Sequence, residues 1–135
     1  MSYPLIRYLS AASCPLLGYT FFMYKLIALF TQPAEVEKFE MRWSHEFVAL
    51  AEKMPGLRRA TVSRIEGGPA GPSPYQLIHE FFFDDKDTLL AAMTSPEGTA
   101  AARCLMDLAA DNVTLMFAEH LEEVSFSEQA GQPGA

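Results

Sequence analysis

Val36, Phe39, Trp43, Phe47, Leu50 and Met54 recur at spacings of 3 and 4. That is one apolar stripe of an amphipathic helix turned to a core. Pro33 suits its first turn, and Glu35 and Glu37 suit its positive end. Pro55-Gly56 stops it. Ahead of the helix, Tyr24 to Phe30 reads as a short strand. After it, Leu57 to Glu66 interleaves β-formers with three arginines and suits an edge strand. Gly67 to Pro74 is a turn-rich hairpin loop, and Tyr75 to Phe83 a third strand. Asp84, Asp85 and Asp87 open a second helical region. Ser95 is a good N-cap and Pro96 a good first residue for its continuation, with Thr99 to Ala110 helical by propensity. Val113 to Val124 reads as a fourth strand.

The order is βαββαβ. Two split β-α-β units predict an α+β, ferredoxin-like fold, a four-stranded antiparallel sheet with both helices on one face. Such a sheet should leave its other face polar. Here Leu77, Phe81 and Phe83 point one way in the third strand, while Ile78 and Phe82 point the other. In the fourth strand Leu115 and Phe117 oppose Met116 and Ala118. The second face therefore needs a cover. A second copy of the same sheet is the economical one, and a homodimer closed through the sheet face is expected.

A chain of 135 residues, half of them hydrophobic, is one globular domain with a real core. The net charge of −7 argues against nucleic acid or an acidic membrane surface as partner. Arg58, Arg59 and Arg64, with Lys53 nearby, read as a solvated strand face ahead of a phosphate site. The two cysteines, Cys14 and Cys104, make no disulfide framework. Cys104, in an Ala-rich helical segment, reads as a small buried hydrophobe. Residues 1–22 are apolar and aromatic, broken by Pro4 and Pro15, too interrupted for a membrane span and poor as a signal peptide. Met23-Tyr24-Lys25 looks like a natural start. Residues 1–22 are thus expected as an extension outside the fold, 23–124 as the domain, and 125–135 as a flexible tail. Without a convincing export signal, a cytoplasmic location is expected.

Several segments together resemble one family. They are Phe39 and Trp43, the helix-ending Met54-Pro55-Gly56-Leu57-Arg58-Arg59 with Val62-Ser63-Arg64, Pro74-Tyr75, Glu80 with Phe83-Asp84, Ser95-Pro96-Glu97-Gly98 with its Ala run, and Val113-Thr114-Leu115. In order and spacing they resemble the EthD family, named for a protein of ethyl tert-butyl ether degradation, within the dimeric α+β barrel superfamily. The resemblance spans about residues 23–124. It implies a ferredoxin-like protomer forming a dimeric barrel, and an association with oxidative breakdown of small organic compounds. Superfamily relatives include cofactor-independent monooxygenases, muconolactone isomerase-like enzymes and haem-using members. This chain departs from the family pattern at three places: Phe47 stands where a His is common, Ala49 where a Pro is, and Cys104 where an Asp is. His45, on the opposite side of the helix, is no substitute.

A general acid or base needs a titratable group in a water-poor pocket. Trp43, Phe47 and Leu50 are plausible walls of such a pocket between helices and sheet, and equally plausible as plain core. His79 and Glu80 are adjacent in an apolar strand, so they point to opposite faces, and each is a candidate catalytic group. His79 is the better proton shuttle, because an unperturbed imidazole titrates near pH 6.5; a hydrogen-bonded core histidine is its structural alternative. Tyr75 could donate a phenol to a ligand, or simply open a strand after Pro74. Glu119 and His120 sit near the end of the fourth strand, in solvent or at a barrel rim. The three histidines fall on three different elements, so no metal site is expected. Gly67-Gly68-Pro69-Ala70-Gly71 precedes no helix and makes no nucleotide loop, so no cofactor is expected either.

Two functions follow. One is a cofactor-independent oxygenase, or an isomerase, acting on a small hydrophobic or aromatic molecule. The other is a non-catalytic dimeric module that binds such a molecule or accompanies a separate oxygenase.

Overall fold

β1 (Tyr19–Thr31), α1 (Val36–Arg42), a π-helical turn (Trp43–Phe47), α2 (Val48–Ala51), β2 (Arg59–Arg64), β3 (Tyr75–Phe83), α3 (Lys86–Thr94), α4 (Pro96–Ala109) and β4 (Val113–Val124) follow one another in the computed structural model. It describes residues 19–124, with side chains from 22 to 123. The strands form one antiparallel sheet in the order β2-β3-β1-β4. This is the ferredoxin-like α+β fold that the alternation of periods predicts, with β2 at an edge.

Alternation of side chains across the sheet sorts the strands into two faces. Leu26, Ala28 and Phe30 of β1 and Leu77, Phe81 and Phe83 of β3 turn to the helices. There they join Phe39, Trp43, Phe47, Leu89 and Leu105 in one core. Of the remaining face, Ile27 lies opposite Glu80 and Met116, and Leu29 opposite Ile78 and Thr114. Ile27, Leu29 and Ile78 are half-buried and Met116 is exposed, so apolar side chains do stand on both faces, as expected.

Two boundaries differ from expectation. β1 starts at Tyr19, ahead of Met23, and pairs with β4 from Tyr19 opposite Val124 to Phe30 opposite Val113. Residues 19–22 thus belong to the longest ladder of the sheet; residues 1–18, Cys14 among them, and the tail from 125 lie outside the described residues. Pro33 is not in the first helical turn either. The Thr31 and Gln32 amides bond to the carbonyls of Asn112 and Pro74, which keeps the chain extended past the strand, and the helix begins at Val36.

The helix stop forms as the sequence suggests. Gly56 has φ +82°, and a Cβ there would come within 2.5 Å of Thr88 Cγ2. The second helical region breaks at Ser95, whose hydroxyl accepts from the Gly98 amide at 3.0 Å, with Pro96 next. Asp85 caps α3 in the same way, accepting from the Thr88 amide at 2.8 Å. Among the described residues no helix is long and apolar enough to cross a membrane, and no group of three potential metal ligands converges.

Candidate functional site

β3 carries His79 on the helix side of the sheet, 3% exposed. The indole of Trp43, in the π turn, donates from Nε1 to His79 Nδ1 at 3.2 Å. Three aromatic rings close around the imidazole: Trp43 at 5.4 Å and Phe47 at 5.8 Å, both edge-on, and Phe81 at 4.1 Å. A π turn closes i to i+5 and advances less per residue than an α turn. That keeps Trp43 and Phe47, four positions apart, on the same side of the helix and over the same histidine.

The hydrogen bond assigns the tautomer. With Nδ1 an acceptor, the neutral ring carries its proton on Nε2. Burial pushes the imidazole down to about 4, so the ring is uncharged at neutral pH. It borders a cavity of about 190 Å³ between the end of the first helix and the β2–β3 side of the sheet. Val48, Ala51, Leu57, Val62 and Phe81 supply apolar wall, and Glu52 sits at the exposed rim. Outside, Arg64 lies 5.7 Å above the Trp43 ring and pairs with Glu40 at 2.8 Å. That hydrogen bond, helped by one from Gln76, holds the Glu40 carboxyl below the usual range against its partial burial.

The residues singled out in the sequence do not all converge. His79, Trp43 and Phe47 meet. Glu80 points to the opposite face, as alternation requires, where Lys25 Nζ donates to it at 2.9 Å and Thr61 Oγ1 at 3.1 Å. Burial works to raise its carboxyl, but the Lys25 hydrogen bond and charge outweigh that and lower it. Tyr75 stands at the far end of β3, 40% exposed, and does not line the cavity. Leu50 is only half-buried; the inward position is Ala51, 1% exposed. The π turn sets the helix back by part of a residue, so the face that a period of 3.6 assigns to Leu50 falls on Ala51 instead. Val48, Ala51, Leu57, Val62 and Phe81 are wall residues that sequence reasoning missed, and Phe47 touches His79 without lining the cavity. Phe81 was findable, two residues from His79 on the same strand face; Ala51 was not, without the π turn.

The other candidates lie elsewhere. His45 is exposed, its Nδ1 3.0 Å from the Met41 carbonyl. His120 is on the outer sheet face, 4.8 Å from the Phe82 ring, and desolvation lowers its titration, with the Lys25 charge adding to this. Burial and the Glu46 charge raise the Cys104 thiol, which disfavours a reactive thiolate. The arginines are engaged: Arg58 with Asp84 at 3.5 Å, Arg59 with Glu122 at 3.3 Å and, through its guanidinium, against Phe82 at 4.0 Å.

The EthD domain model matches residues 31–116, from the end of β1 into β4, a span that includes every side chain of this cavity. The chain belongs to the EthD family. An ethyl tert-butyl ether degradation family protein from Bacillus halodurans is similar in structure, with a TM-score of 0.71 and 39% identity over 73% of this chain and 98% of that one. An uncharacterized 11.0 kDa protein in the thcB-thcC intergenic region of Rhodococcus erythropolis is 29% identical, over 72% of this chain and 94% of its own length. SnoaB, a cofactor-independent oxygenase from Streptomyces nogalater, has the same fold at 17% identity, with a TM-score of 0.52 over 73% of this chain and 90% of that one. In this EthD domain the Phe47 ring packs edge-on against the imidazole of His79, with centroids 5.8 Å apart.

Proposed function

We propose that this EthD protein binds a small, mostly apolar molecule carrying one hydrogen-bond acceptor in the cavity beside His79. The carrying observation is a neutral imidazole, held by Trp43 in the Nε2–H tautomer, as the one buried polar group of an apolar cavity of about 190 Å³. Such a site takes a carbonyl or phenolic oxygen and leaves the remainder of the ligand to aromatic and aliphatic walls. The depressed basicity changes the role expected for His79. A ring that protonates only near 4 is a poor acceptor of a substrate proton at neutral pH. It is a good fixed donor to negative charge developing on a substrate oxygen. In turnover, therefore, His79 stabilises an enolate or phenolate during an oxygenation or isomerisation that uses no cofactor, within the oxidative breakdown of small organic compounds.

The outer sheet face, with Ile27, Leu29 and Ile78 unshielded by helices, supports a homodimer closed face to face. A non-catalytic binding module is the second reading. It is favoured by Glu80, which Lys25 and Thr61 hold on the far face, so that the cavity has no buried acid to work with His79.

Trp43 is the single tryptophan and touches the site, so its emission reports binding. Titration with phenols and with hydrocarbons of the same shape should favour the phenols by about three- to tenfold, as one net hydrogen bond allows. In His79→Phe that preference should vanish. Equal binding of both series to the wild-type protein would refute the assignment. Oxygen consumption with bound phenols then separates enzyme from binding module.

A further inference from the structure

The helix–sheet core holds a second space. It lies beyond Phe47 and Phe81, whose rings meet edge-on at 6.0 Å. Phe81 is a wall of both spaces, so one layer of aromatic rings separates His79 from this chamber. Its lining side chains are all apolar, with Leu26, Ala101, Leu105 and Leu115 facing the two phenylalanines. The volume is about 50 Å³. That is several times the roughly 10–15 Å³ that one water needs, and well under the ~150 Å³ of an apolar cavity that takes benzene. A water here would find no side-chain partner, and a site with so little polar surface favours an apolar guest over water.

The space does not follow from a shortage of helix. α4 passes close to α3: a Cβ on Gly98 would meet the Ala92 carbonyl oxygen at 2.0 Å. With the helices pinned there, Ala101 is too short to reach Phe81, and the gap persists. A route leads in as well. A shallow groove of about 70 Å³ shares Leu26 and Leu115 with the chamber and runs out beside Phe117, 47% exposed.

We infer that this chamber is a binding site for a small uncharged apolar guest, larger than water and smaller than benzene, of which dioxygen is the chemically relevant example. The site rests on the cavity alone. The choice of dioxygen rests on the oxygenase reading above. A guest there regains dispersion contacts that the lining lacks, and it sits one ring layer from a ligand held by His79.

Xenon is the direct probe. Crystals of the intact chain pressurised with xenon should show a peak bounded by Phe47, Phe81 and Leu105. Ala101→Leu should extinguish it and leave phenol titration at His79 unchanged. In solution, dioxygen pressure should enhance relaxation of the Leu105 and Leu115 methyls several-fold more than that of Leu89, which is fully buried but lines no part of the chamber. Absence of xenon from the wild-type chamber, or equal enhancement at all three leucines, would overturn the inference. The wild-type arms need no variant to fold. Xenon without phenol binding would remove the role given to His79 and leave the chamber standing, and phenol binding without xenon would do the reverse.

Discussion

Trp43 donates its indole N–H to Nδ1 of His79 across 3.2 Å, with both side chains buried. One residue comes from a π turn and the other from a central strand, so this bond ties the helix layer to the sheet while it sets the proton on the far nitrogen. Much of what can be measured on this protein passes through it.

Its first consequence is a pH dependence. The folded imidazole protonates near 4, and the unfolded one near 6.5. Between these values the unfolded chain binds the extra proton, so stability rises with pH across the window. The contribution is fully present above about 6.5, is lost as pH falls towards 4, and amounts to about 3 kcal/mol at most. Thermal melts from pH 7 to 4.5 should therefore show falling stability. His79→Gln, which keeps an acceptor for Trp43 and cannot titrate, should remove most of that slope. His120 is lowered too and acts with the same sign, so the wild-type-minus-variant difference is the quantity to read. An unchanged slope in His79→Gln would contradict the burial argument.

Trp43→Phe leaves Nδ1 of a buried ring without its donor, at a cost of about 1–3 kcal/mol besides the lost packing. Denaturant unfolding of the single and double variants with His79→Leu measures the coupling. In the Trp43→Phe background the second substitution should cost about 1 kcal/mol less than in the wild type, because the stranded polar group is already present. Strict additivity would mean that the bond contributes nothing.

Gly98→Ala tests the helix contact that shapes the second chamber. The new Cβ meets backbone, the Ala92 carbonyl at 2.0 Å, not a flexible side chain. Relief requires α3 and α4 to separate, so a loss of about 1–3 kcal/mol or more is expected in thermal unfolding. Ala102→Ser, at an exposed position of the same helix, should stay within about 0.5 kcal/mol.

On the outer sheet face, Ile27→Glu places a carboxylate between Glu80 and Met116, its cross-strand neighbours. If two sheets close on each other there, light scattering at micromolar concentration gives a dimer for the wild type and a monomer for the variant. A wild-type protein that runs as a monomer would end the face-to-face model.

The legible parts of this fold are those with a local cause. Ser95-Pro96 caps a helix by its own atoms, and the alternation in β3 places His79 and Glu80 on opposite faces before any packing is known. Tyr19 to Phe22 were misjudged because pairing with the end of β4, not local pattern, makes them strand. The site was half legible. A histidine among Phe81, Phe82 and Phe83 marks itself, and so does the tryptophan of the apolar stripe. What a period of 3.6 could not place was the inward neighbour, Ala51 in place of Leu50, since nothing in WSHEF announces a wider turn. Tyr75 was misplaced for a simpler reason: periodicity gives a face, not a position along the strand relative to a helix end.

The π turn has one more consequence, and it concerns phase. A helix that carries one such turn holds one residue more than its length requires, and everything after it is rotated relative to an unbroken α-helix. Deleting Ser44 would let the helix rewind to a regular pitch and, with the extra residue gone, leave Phe47 and Ala51 facing the core as they do now. The full sequence wound as an unbroken α-helix would instead bring a leucine inward where the alanine now stands and close the space beside His79 from above. The room for a ligand is thus set by winding, and one extra residue on the solvent side of the helix keeps it open without lining it.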